Sequence, residues 1–154
     1  MSEAQALSRL TGLCAKAEYC LSDIRKKMSA WELPEGSESR ILSYLLKERY
    51  VDENRYAHAF VRSKFRFNRW GRDKIMRMML QKGISQENID DALNELKEDE
   101  LDDTLLELLQ AKNRHLSYKN DYDRYVKLLR FAVSRGFSMD SARRCIEKMD
   151  FSDE

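Results

Sequence analysis

Residues 62–72 read RSKFRFNRWGR, with five basic side chains, three aromatic ones and no acid. Guanidinium and ammonium groups in such a run can neutralise phosphates, and aromatic planes can stack on unpaired bases. Each arginine can also grip a carboxylate of an acidic protein partner through two parallel hydrogen bonds. A third reading is a solvated helix face whose arginine stems lie over aromatic rings. The run extends both ways. From Arg55 to Lys82, nine basic residues stand against one acid, Asp73, for a net +8. That lack of local compensation favours a surface for a polyanion or an acidic partner. The candidate contacts are Arg55, Arg62, Lys64, Arg66, Arg69, Arg72, Lys74 and Arg77. Trp70, at the turn before Gly71, is a candidate stacking ring. Phe67 is expected in the core, because Met and Phe at helical spacing usually pack inward.

The next segment has the opposite sign. Ser85–Glu107 holds ten acids against Lys97 alone, a net −9, while the whole chain of 154 residues is +1. The two segments cancel in the total but are not expected to cancel in space. Screening over roughly 8 Å at physiological salt would let each surface act separately. The acidic stretch is open to three readings: a solvated face, a surface for a basic protein, or a mimic of DNA charge. Ile89, Ala92, Leu93 and Leu96 are its inward positions.

Other chemistry has little support. His58 and His115 stand alone, with no Cys or second His at metal-ligand spacing. Cys14, Cys20 and Cys145 form no C-x-x-C pair and read as small core residues in a reducing compartment. There is no nucleotide-binding glycine loop and no nucleophile–base pattern. We therefore expect a non-enzymatic protein without cofactor or metal. The first residues lack the basic start and apolar run of a secretory signal, and no stretch approaches 18 apolar residues. A cytoplasmic location is expected.

The elements that position these residues are helical. One Pro and five Gly leave few breakers, and no strand-like alternation is present. Leu7, Leu10, Cys14, Ala17 and Leu21 step by 3 and 4, which predicts one helix face. Ser22 is the expected cap of a second helix, Ile41–Leu46 marks a third, and Asp52 is the expected cap of a long helix through Phe67. A long helix is also predicted near 98–114. KGIS (82–85) and RGFS (135–138) share one design: Gly in the left-handed position after a helix, an apolar residue packing back, and Ser capping the next helix. These marks divide the chain into three units of three helices, at 1–50, 51–97 and 98–154, stacked on a continuous core. The fold class is all-α.

The stretch YVDENRYAHAFVRSKFRFNRWGRDKIMRMMLQKGIS (50–85) resembles the RecX family of bacterial recombination regulators. The matching positions include Tyr50, Val51, Asp52, Glu53, Arg55, Tyr56, Ala57, Phe60, Val61, Arg62, Lys64, Gly71, Ile75, Leu80, Lys82, Gly83 and Ile84. LSDIRKKM is similar to the family's Ser-x-x-Glu-Leu-x-x-Lys-Leu, with Ile24 and Arg25 where Glu-Leu is usual. YVKLLRFAVSRGFSMDSARRCIEKM carries the likeness near the end. The resemblance implies three tandem three-helix units in a curved, elongated, mostly monomeric protein. It also implies a partner, the RecA recombinase assembled on single-stranded DNA, whose filament growth, ATPase and strand exchange such proteins restrain. The runner-up is a helical-repeat nucleic-acid-binding module without RecA specificity.

Overall fold

The computed structural model describes residues 1–149 and 151. Among them are nine α-helices and no strand: α1 (Glu3–Cys14), α2 (Leu21–Ser29), α3 (Ser37–Lys47), α4 (Glu53–Arg66), α5 (Arg72–Gln81), α6 (Gln86–Leu93), α7 (Glu98–Arg114), α8 (Asp121–Ser134) and α9 (Met139–Lys148). The chain divides into two compact units. One holds Met1–Phe60 with Met79–Ala92, the other Val61–Met78 with the chain from Leu93 onward.

In the first unit, α3 packs on α1 and α2. Leu10, Ile24, Ile41 and Leu45 are fully buried in its core. Helix α1 starts in a reciprocal cap: the Gln5 amide donates to Ser2 Oγ at 3.1 Å, and the Ser2 amide to Gln5 Oε1 at 2.9 Å. It stops at Cys14, so the predicted stripe overruns it: Ala17 lies in the connection and Leu21 begins α2. Ser22 is likewise not the cap. The cap position is Cys20, whose amide donates to Asp23 Oδ2 at 3.3 Å, because the carboxylate three residues on completes the first turn.

In the second unit, α7, α8 and α9 pack on one another. Leu105, Leu109, Leu128 and Ala132 are fully buried in this core, with Val61 and Ile75. Both punctuation marks behave as the sequence predicts. Gly83 (φ 78°) and Gly136 (φ 97°) take the left-handed position. Ile84 and Phe137 are buried, and their amides reach back to the carbonyls of Met79 and Ala132. Ser85 and Ser138 accept from the amides of Asn88 and Ser141.

Candidate nucleic-acid interface

Asp52 Oδ1 accepts the Arg55 amide at 2.9 Å and starts α4, as its sequence position predicts. The helix ends at Arg66. Beyond it the chain turns through Arg69, which takes the left-handed conformation (φ 55°) although it is not glycine. Gly71 therefore serves a different need from turn flexibility. A Cβ there would strike the Gly136 carbonyl and approach Phe137 N to 2.6 Å. A Cβ on Gly136 would strike the Lys74 side chain and approach Lys74 N to 2.8 Å. The two backbones touch because the Gly71 amide donates to Arg135 O (2.8 Å) and the Asp73 amide to Gly136 O (3.0 Å). Arg135 Nη2 closes the lock on Asn68 O at 2.8 Å. The loop carrying the aromatic and basic residues is thus clamped to the α8–α9 turn within one compact unit.

The predicted residues have different fates. Arg55 belongs to the first unit, where its guanidinium donates to Glu18 (2.6 Å) and to the carbonyl of Arg49 (3.1 Å). The Glu18 hydrogen bond raises its pKa further. Arg62 makes a two-pronged contact with Glu95, at 2.9 and 3.2 Å, which raises its pKa too. Arg69 pairs with Glu107 (3.2 Å). Arg72 pairs with Glu98 (2.8 Å) and donates to Leu96 O (3.1 Å). The acidic stretch therefore pairs with three of the nine basic residues, Arg62, Arg69 and Arg72. This corrects the expectation that the two charges stay apart: compensation absent from the local sequence returns from acids 26–38 positions away.

The other four cations of the candidate surface are Lys64, Lys74, Arg66 and Arg77. The Lys64 and Lys74 ammonium groups lie 5.0 and 4.6 Å from the centre of the Trp70 ring, at cation–π distance. Arg66 and Arg77 are exposed and meet no acid within ion-pair distance among the described residues. Trp70 is half-buried, consistent with a partly exposed ring at the turn. Phe67 corrects the sequence reading outright. It is 78 % exposed, not core. It falls just past the end of α4 and six residues after buried Val61, about 240° round a helix of 3.6 residues per turn. That angle, counted from Val61, was the available signal.

Among the described residues no helix is long and apolar enough to cross a membrane. None of their His, Cys, Asp and Glu side chains cluster in threes that could hold a metal ion. His58 Nε2 instead meets Asp91 Oδ2 at 3.0 Å, and hydrogen bonds from Asn54 and His58 hold the Asp91 carboxyl below its ordinary pKa.

Residues 52–93 match the family model of the RecX second three-helix domain, and residues 98–146 that of the third. The chain belongs to the RecX family. It is 31 % identical over 117 residues to the regulatory protein RecX of Clostridium tetani, covering 74 % of this chain and 53 % of that one. It is 27 % identical over 145 residues to the regulatory protein RecX of Bacillus cytotoxicus, covering 94 % and 52 %. The chain thus spans about half the length of these curated relatives. A crystal structure of a regulatory protein RecX superposes with a TM-score of 0.86 at 26 % identity, covering 94 % of this chain and 71 % of that one. RecX from Lactobacillus salivarius gives 0.82 at 17 % identity, covering 95 % of each, and so shares the fold. The all-α RecX architecture of three-helix domains is therefore that of this chain. Within it, the basic run falls in the second RecX domain, and Gly136, which clamps it, falls in the third.

Proposed function

We propose that this RecX-family chain is a non-enzymatic, cytoplasmic regulator that binds RecA–single-stranded-DNA filaments. It modulates, mostly by inhibition, their ATPase and strand exchange. It acts as a monomer built from three tandem units, 1–50, 51–97 and 98–154. Family membership supports the partner. The surface is supported by one observation: exposed Phe67, and Trp70 with the Lys64 and Lys74 ammonium groups over its ring, sit on a loop clamped through Gly71, with exposed Arg66 at the end of α4 before it and exposed Arg77 on α5 after it. Phe67 and Trp70 would stack on bases, while Lys64, Lys74 and Arg77 would meet phosphates. Arg62, Arg69 and Arg72 are held by Glu95, Glu107 and Glu98. Exposed pairs of this kind are worth only about 0–1 kcal/mol each, so at Arg72 a denser polyanion can exchange for the Glu98 carboxylate.

Fluorescence anisotropy separates this reading from a general nucleic-acid module. The labelled chain is titrated with a thymidine oligonucleotide, bare or coated with the cognate RecA. Tighter binding to the coated strand is expected. Equal or weaker binding would leave only the general module.

A further inference from the structure

A cleft of about 320 Å³ opens in the second unit, lined in part by the basic run but not by Phe67 or Trp70. Its lining is mostly polar, with half-buried Phe65 as the apolar surface it offers and Val61 and Leu96 buried beneath. Arg62, Arg66 and Arg69 line it, and so do Glu95 and Glu100. Much of this charge is already spent. Arg62 is tied to Glu95 and Arg69 to Glu107. Two exposed charges remain at the cleft, Arg66 and Glu100, of opposite sign, and neither has an ion-pair partner among the described residues.

We propose that this cleft seats a protein segment of the filament: an apolar side chain flanked by one acid and one base. The proposal rests on the filament reading above and adds a second contact, made to protein rather than to DNA. Charge complementarity decides the class of occupant. A phosphate placed against Arg66 would meet the Glu100 carboxylate in the same cleft, with the Glu95 carboxylate also in its lining. Like charges brought together in this way suppress wrong partners. A peptide instead offers a carboxylate to Arg66 and a cation to Glu100, and packs an apolar group on the half-buried Phe65 ring. The volume lies at the low end of ordinary pockets, roughly 300–1,000 Å³, and suits one large side chain better than a strand of nucleotides.

Nucleic acid and protein occupants predict opposite signs for one substitution. Glu100→Lys makes the cleft more positive. If nucleic acid occupied it, affinity for bare oligonucleotide and for filament would both rise. If a protein segment occupies it, filament affinity falls, by about tenfold for one rim charge pair reversed, while bare-oligonucleotide affinity holds or rises. The measurement is anisotropy of the labelled full chain with the thymidine oligonucleotide, bare and RecA-coated, for wild type, Glu100→Lys and the milder Glu100→Gln. Circular dichroism checks that helicity is kept. Filament affinity unchanged or increased in folded Glu100→Lys overturns the proposal while leaving the filament reading intact. A wild-type chain that binds the bare but not the coated strand removes the filament reading itself, and this occupant with it. Self-association of the chain alone in sedimentation, abolished by Glu100→Lys, would make a second copy the occupant and also overturn the proposal.

Discussion

Phe67 and Arg77 make separable predictions at the residue scale. Phe67 is 78 % exposed, so truncating it should leave the fold nearly untouched. Phe67→Ala is expected to change unfolding free energy by no more than about 0.5 kcal/mol, as surface substitutions usually do. In the proposed role it should lose about 1–3 kcal/mol of single-strand binding, the value of one base–aromatic stack. Urea unfolding and oligonucleotide titration of the same sample check both. Arg77→Gln should weaken binding and flatten the log affinity–log salt slope by about 0.7, one phosphate contact to a single strand. An unchanged slope would mean that Arg77 meets no phosphate. The sequence made the basic residues visible but not their fates. Arg62 and Arg66 are four residues apart on one helix, yet Glu95 claims only the first. Phe67 was misread because residue type was weighed over its angle from Val61.

At the scale of elements, the clamp between the 67–71 loop and the α8–α9 turn depends on two missing side chains. Gly71→Ala forces a methyl into the Gly136 carbonyl and should destabilise the chain by about 1–3 kcal/mol, as overpacking does. Gly136→Ala adds left-handed strain of about 1–2 kcal/mol. Gly12 is the control. It lies within α1 with nothing near a built Cβ, so Gly12→Ala should stabilise by about 0.5–1 kcal/mol. Denaturant midpoints rank the three variants.

A second linkage sits in the first unit, where Lys82 Nζ donates to Asp23 Oδ1 at 2.8 Å and lies over the Tyr56 ring. Burial, then the negative charge of Asp23, pushes the Tyr56 hydroxyl up to about 12. Burial opposes the charges of Asp23 and Lys82, but their hydrogen bond wins. It lowers the Asp23 pKa and raises that of Lys82. The signs then follow. Asp23 adds stability above its ordinary pKa, which is lost as pH falls below about 4. Lys82 and Tyr56 add stability below about 10, which declines as pH rises beyond it, the Tyr56 part through about 12 and the Lys82 part later. Urea unfolding against pH should show both limbs. Tyr56→Phe should weaken the alkaline one and Asp23→Asn the acid one.

The helix stops were legible because KGIS and RGFS state a local backbone solution in four residues. The α1 stripe was not, because Ala17 and Leu21 keep helical spacing through a turn. The Gly71–Gly136 contact joins residues 65 apart, and no local pattern announces it.

For the whole molecule, a net charge of +1 conceals one segment of −9 and one of +8. Within the second unit, Glu95, Glu98 and Glu107 hold Arg62, Arg72 and Arg69. Fold class and family were readable from helical spacing and from the 50–85 stretch. Charge organisation was not, because sequence separation does not report spatial separation. The pairing leaves a small set of uncommitted groups, which suits selective binding better than general adhesion to polyanions. In the proposed role this selectivity is for the RecA filament. The single-strand-dependent ATPase of the cognate RecA, titrated with this chain at two salt concentrations, tests it most directly. Inhibition well below one chain per RecA, weaker at the higher salt, is the predicted result. An ATPase that does not respond to folded chain still able to bind single-stranded DNA would contradict it.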